Sequence, residues 1–417
     1  MNASAHIDIR EVAALAAATL LRNTATIRER ANALLSRARA GHSEWFAIAD
    51  DSAMDRTAQI VAGVTRERYG DGPIPYHSRW RHFEVGGVDR RAEFDRALGD
   101  VPAVELARAH IDLTVVSVLL DAGAGPDWRY AEAISGQQFA RSEGLGVASF
   151  RAFASGLFSS DANQPFQADA AGLRAITASQ LGTAFQISES NPLVGLDGRV
   201  TLLRRLGDAL SEQPAVFGTV ARPGGLFDVL AKTSRSVAAH DILSLLLATL
   251  SSVWPAPNRI GGMALGDCWC HAAVRGDGLS DGWMPFHKLS QWLTYSLLEP
   301  IEWAGVEVTG LSALTGLPEY RNGGLLLDAG VIVPKESALL ARTWQVGDEF
   351  IVEWRALTVA LLDELAPRVR SILGNTEAEM PLACVLEGGT WAAGRVLAQQ
   401  LRGGLPPIKL NSDATVF

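Results

Sequence analysis

A chain of 417 residues with 48% hydrophobic content holds ample apolar material for a sizeable core, so one large domain or two to three ordinary ones are expected and default disorder is excluded. Asp and Glu number 46 against 37 Lys and Arg, and a net charge of -9 argues against a general nucleic-acid binder. The three cysteines Cys268, Cys270 and Cys384 are too few for a secreted disulfide framework and fit a reducing cytoplasm.

In chain order, the Ala-rich apolar stretch Val12 to Leu21 follows Asp8 and Glu11, which predicts a buried helix rather than a signal peptide with a basic start. Thr26-Ile27-Arg28-Glu29 has capping-box spacing and predicts a helix onset running through Leu34 and Leu35. Gly and Pro clusters at Gly70 to Pro73, Gly123 to Pro126, Arg222 to Gly225 and Gly276 to Gly282 mark turns, none long enough for a flexible linker. Strand-like runs are few: Arg199 to Leu203 and Leu325 to Val333. The longest apolar run, Ile242 to Val253, falls short of the roughly 18 residues a membrane span needs. Phe350, Trp354, Leu357, Leu361 and Leu365 recur at three and four residues and predict a helix. The class is mainly α, a large helical domain with only short strands. It reads as a single unit over 1–417, with a division into lobes at 1–255 and 256–417 left open.

Three segments concentrate polar chemistry. Pro73 to Gly87 carries His77, Arg79, Trp80, His82, Phe83 and Glu84; Arg can clamp a phosphate or carboxylate, and the aromatics can stack on a planar group. An amphipathic turn with core aromatics explains the same string. Met284 to Ser296 predicts a helix opening at Pro285, with Leu289, Trp292, Leu293 and Leu297 as its apolar stripe. Lys288, Gln291 and Tyr295 share another face and either point into a pocket or are solvated.

Pro318 to Gly324 sets Glu319, Tyr320, Arg321 and Asn322 between apolar stretches, where a carboxylate is either paired or functional. Burial would tune Glu319 or Asp328 for acid or base work, while the plain alternative is a turn pinned by Glu319 and Arg321 with Asn322-Gly323 at positive φ. Two further signals are weaker. Gly123 to Trp128 lacks a full phosphate-loop pattern, and Cys268-Trp269-Cys270-His271 has the wrong spacing for structural zinc. Neither a Gly-x-Ser-x-Gly elbow nor a His-Glu-x-x-His helix occurs, which leaves carboxylate chemistry.

The strings Tyr76 to Glu84, Leu119 to Pro126, Arg141 to Leu145, Asn191 to Gly195 and Leu317 to Gly324 resemble the uracil catabolism protein 4 family over nearly the whole chain. The resemblance implies a cytosolic part in the route that ribosylates uracil, opens its ring and ends in urea and a three-carbon acid. A second resemblance covers under a fifth of the chain. Phe286 to Gln291, then Leu314 to Arg321 and Gly330-Val331, are similar to queuosine salvage glycosidases, which have a helical fold akin to DNA glycosylases. Lys288 and Gln291 match that family's Lys-x-x-Gln helix, and Glu319 stands where its Asp stands. Gly323-Gly324 replaces a more apolar continuation, so Asp328 stays a competitor for the catalytic role.

Together the resemblances imply hydrolysis of an N-ribosidic bond in a ring-opened uracil nucleotide product such as phosphoribosylurea. Glu319 would stabilise the anomeric carbon; His82, Glu84 or Asp328 would protonate the leaving urea; Lys288, Arg79 or Arg321 would hold phosphate. The expected partner is a small, phosphorylated ribosyl substrate, without cofactor, metal, nucleic acid or membrane. An amidohydrolase step of the same pathway and a non-catalytic ligand-binding role remain the alternatives.

Overall fold

The computed structural model describes residues 9–121, 123–232, 235–254 and 257–411, so Asp8, Ala122 and the lobe boundary at residues 255 and 256 lie outside the described residues. Helix α1 (Ile9–Leu21) buries Ala14, Ala17, Ala18 and Leu21 but exposes Ile9, Val12, Leu15 and Leu20, so the expected buried helix is buried along one side only. Helix α2 (Thr24–Arg39) begins before the expected capping box. Its cap is Asn23, whose side chain accepts from the Ala25 amide at 2.8 Å, and Thr26 is a buried position within the helix. Asp50 caps α3 (Asp51–Tyr69) in the same way.

The short α4 (Trp80–Phe83) and α5 (Arg90–Leu98) lead to α6 (Ala103–Leu119), which is buried from Ala109 to Leu119. The Gly-rich loop after α6 feeds a strand, Arg129–Glu132, paired antiparallel with Gln137–Ala140, so no helix N-terminus is presented there. Next come α7 (Arg141–Ala154), α8 (Ala170–Ala175), α9 (Ala178–Ala184) and α10 (Leu196–Ser211). Arg199 to Leu203, expected as a strand, lies inside α10. Val200, Leu203, Leu206 and Leu210 are buried at helical spacing, a pattern that a five-residue window is too short to reveal. The middle of the chain closes with α11 (Pro214–Phe217), α12 (Gly225–Leu230) and α13 (Ala239–Leu250).

The last third contains α14 (Lys288–Trp303), α15 (Tyr320–Asp328), α16 (Glu349–Leu373), α17 (Leu382–Val385), a π-helical turn (Leu386–Thr390) and α18 (Trp391–Arg402). Pro285 does not open α14; it ends a strand, Trp283–Pro285, paired with Cys268–Cys270, and α14 starts after His287, whose φ is 50°. Leu325 to Val333 is likewise divided: Leu325 to Asp328 complete α15, and only Ile332–Pro334 is a strand, paired antiparallel with Phe46–Ile48. Every sheet among the described residues has two strands. No helix among them is long and apolar enough to cross a membrane.

One apolar core runs from Ile27 to Ile408, and α16 is its axis, packed on α2, α3, α15 and α17. Phe350, Trp354, Leu357, Leu361 and Leu365 are all buried on it as the periodicity predicts, each contributing on the order of 2 kcal/mol by removal from water. The core also fixes the approach of two helices. A Cβ at Gly394 in α18 would sit 2.1 Å from the Arg321 carbonyl, and one at Gly323 would sit 2.8 Å from Trp354, so glycine lets α15 lie against both α18 and α16.

Candidate active site

The face of α14 bearing Gln291 and Tyr295 is spent on one loop. Gln291 accepts from the Thr315 amide at 2.8 Å and donates to the Thr315 hydroxyl at 2.5 Å and the Phe286 carbonyl at 3.1 Å. The Tyr295 hydroxyl donates to the Thr315 carbonyl at 2.9 Å. These two side chains therefore do not open into a pocket; they clamp the segment that carries Glu319. A second clamp comes from α16. Arg355 grips Asp267 through both guanidinium nitrogens, at 2.8 and 2.7 Å, and donates to the Pro318 carbonyl at 3.2 Å. Asp267 in turn accepts from the Lys288 amide at 3.0 Å, tying the start of α14 to the same point.

These clamps bring Lys288 and Glu319 into mutual electrostatic range. Glu319 is the N-cap of α15, accepting from the amides of Arg321 at 2.7 Å and Asn322 at 2.5 Å. The sequence alternative of an Arg321-pinned turn is thus replaced by a helix cap, with Asn322 and Gly323 inside the helix and neither at positive φ. Burial pushes the Glu319 carboxyl up, opposed by those two amides and by Lys288 and His77. Burial pulls the Lys288 ammonium down, opposed by Glu319.

One turn along α14 from Lys288, Trp292 is ringed by the 77–82 segment: His77 at 6.5 Å and His82 at 6.1 Å between ring centroids, and the Arg79 guanidinium at 5.8 Å. Arg79 is fully buried, with Asp121 at 2.8 Å, the Ser117 hydroxyl at 2.7 Å and the Ser142 carbonyl at 3.3 Å. Burial, then repulsion by Arg79, holds His82 down to about 3, so its imidazole is neutral near neutral pH. Arg79 Nη2, His82 Nδ1 and Trp292 Nε1 are buried without a hydrogen-bond partner among the described residues, as is Asn322 Oδ1. Arg and Trp nitrogens can only donate, so this cluster calls for an acceptor.

The remaining sequence candidates divide clearly. Tyr320 is 38% exposed, lies under the Arg321 guanidinium at 4.7 Å and interacts electrostatically with Glu319 and Asp121. Trp80 and Phe83 are core residues, packed edge to face at 5.1 Å and unavailable for stacking on a ligand. Glu84 pairs with Arg81 at 3.0 Å. Asp328 is gripped by both Arg402 nitrogens at 2.8 and 2.6 Å, and it sits at the far end of α15 from Glu319, about 13 Å along the axis. Cys268 is buried beside His287, whereas His271 faces Glu353 at 3.2 Å, so the Cys-Trp-Cys-His string forms no common site.

Sequence reasoning missed Asp121, Glu143 and Glu387. Glu143 acts on His82 and Arg79 and pairs with Arg395 at 2.8 Å. Glu387 sits in the π-helical turn and holds His77 Nδ1 at 2.9 Å. Asp121 and Glu143 lie in strings quoted for the family resemblance; Glu387 stands alone between Leu386 and Gly388, a charged residue in an otherwise apolar stretch.

Fold and site together define a mainly α-helical protein whose cluster of charged side chains is drawn from α4, α6, α7, α14, α15, the π-helical turn and the residues flanking them. The model of the family described as "Protein of unknown function (DUF1688)" matches residues 20–417, and the chain belongs to that family. It is similar to "Protein urg3" of Schizosaccharomyces pombe, 40% identical over 400 residues that cover 94% of this chain and 96% of the relative. "Uracil catabolism protein 4" of Lachancea kluyveri is 40% identical over 401 residues, covering 88% of this chain and 91% of the relative.

Proposed function

We propose that this chain acts in uracil catabolism as an N-glycoside hydrolase that cleaves the N-ribosidic bond of a phosphoribosylurea-like product, yielding urea and ribose 5-phosphate. The pathway comes from the relative named for uracil catabolism. The reaction is supported by one observation, the clamping of Lys288 and Glu319 within electrostatic range of each other beside buried donors that lack partners. Departure of the urea nitrogen develops positive charge at the anomeric carbon, which Glu319 stabilises while taking a proton from the attacking water. Arg79 Nη2 and Trp292 Nε1 donate to the urea carbonyl. Lys288 and Arg321 supply positive charge for the 5-phosphate.

The test is urea release from phosphoribosylurea by the wild type and by Glu319→Gln. The substitution is expected to cut turnover by on the order of 100-fold or more while leaving the fold intact. Unchanged turnover in the variant would remove Glu319 from the mechanism. Failure of the wild type to release urea from any ribosylurea would remove the glycosidic reading altogether.

A further inference from the structure

His77 and Glu387 form a dyad beside Trp292. Glu387 is buried, with its side chain 8% exposed, and its Oε1 accepts from Arg68 Nη2 at 2.8 Å and from the Tyr69 hydroxyl at 2.9 Å. Its Oε2 faces His77 Nδ1 at 2.9 Å. A carboxylate that already receives two donors is an acceptor at its remaining oxygen, so Nδ1 carries the hydrogen. Nε2 of His77 makes no hydrogen bond among the described residues, and the ring, 12% exposed, lies beside Trp292 and within electrostatic range of Glu319. Burial opposes ionisation of Glu387, yet the hydrogen bond and charge of His77, followed by Arg68 and Tyr69, hold it down to about 2.

The other donors considered from sequence do not fill this role. His82 is neutral, Glu84 pairs with Arg81, and Asp328 pairs with Arg402 at the far end of α15. We propose that His77 is the general acid that protonates the departing nitrogen, with Glu387 as the positioning residue that fixes its ring. This rests on the glycosidic reading above. As the bond from the anomeric carbon to nitrogen breaks, its electron pair goes to nitrogen, which takes the Nε2 proton of imidazolium His77. The water oxygen bonds to the anomeric carbon and its proton passes to Glu319. Return of that proton to His77 resets both groups, and the sum is the addition of one water.

The charged and titratable groups around the dyad are Arg68 and Tyr69 from α3 on Glu387, and, acting on His77, Glu387 itself from the π-helical turn, His82 from α4 and Glu319 at the start of α15. The experiment compares phosphoribosylurea with 4-nitrophenyl ribofuranoside 5-phosphate, whose leaving group departs without a proton. His77→Asn is expected to slow urea release by on the order of 100-fold or more and to leave nitrophenol release near the wild-type rate. Glu387→Gln is expected to slow urea release less and to move the alkaline limb of its pH profile to lower pH, since the imidazolium loses its carboxylate partner. Equal losses on both substrates, or none on either, overturn the acid assignment; if Glu319→Gln is then inactive on both, the glycosidic reading survives without it. A wild type silent on both substrates overturns the reading and the assignment together. Nitrogen-15 NMR of the wild type at alkaline pH gives a check independent of the variants' folding: once His77 has lost its Nε2 proton, a remaining proton on Nδ1 supports the dyad, and one on Nε2 overturns it.

Discussion

Whether a charged residue in this chain is chemical or structural is decided by what already occupies its polar atoms. Asp328 and Glu319 lie on one short helix, yet Asp328 is consumed by a two-point grip from Arg402, while Glu319 holds only two backbone amides and keeps lone pairs for a ligand. His82 offers a test of burial at the same scale. Its folded value of about 3 lies below the ordinary 6.5, so between those values the unfolded chain binds the extra proton. Stability is therefore present above about pH 6.5 and is lost as pH falls through that window, at up to about 1.4 kcal/mol per pH unit for one proton. Glu387, held at about 2 against an ordinary 4.5, adds a loss of the same sign lower down. Urea denaturation at neutral pH and near pH 5 is expected to show a shallower acid loss in His82→Asn than in the wild type.

Among the elements, α14 assigns separate tasks to two faces. Trp292 lies against Arg79 and Lys288 is within electrostatic range of Glu319, whereas Gln291 and Tyr295 hold the Thr315 loop that delivers Glu319. The Lys-x-x-Gln spacing thus joins one charged candidate residue to one structural residue. Gln291→Ala strips the Thr315 amide of its buried partner, an expected cost of about 1–3 kcal/mol. A denaturant melt measures that cost. Turnover of the folded variant should also fall, because the loop that positions Glu319 loses two of its ties; full activity would show that Tyr295 and Arg355 suffice.

For the whole molecule, the candidate site depends on residues drawn together from distant parts of the chain. Arg355 in α16 ties Asp267, and through it Lys288, to Pro318 beside Glu319. Burial works against ionisation of Asp267, and Arg355 nonetheless keeps the carboxyl below its ordinary value. Arg355→Met leaves that carboxylate buried and unpaired, which is expected to destabilise the fold by about 3–5 kcal/mol in thermal or chemical melts. A neutral effect would mean that water replaces the guanidinium, and that α16 serves the site by packing alone.

The sequence alone determined the helical class and the α16 stripe, since apolar periodicity is written locally, and it singled out charged segments at 73–87, 284–296 and 318–324. Helix onset at Asn23 and Lys288, and the helical state of Arg199 to Leu203, were not legible there. Short windows satisfy a cap or a strand pattern equally well until neighbours bury one face. Only the tertiary structure decided that Trp80 and Phe83 are core, that Gln291 is a clamp, that Asp328 is spent on Arg402, and that Glu387 stands behind His77. Those outcomes depend on partners as far away as 310 residues, the separation of His77 from Glu387, and a one-dimensional pattern carries no record of such pairings.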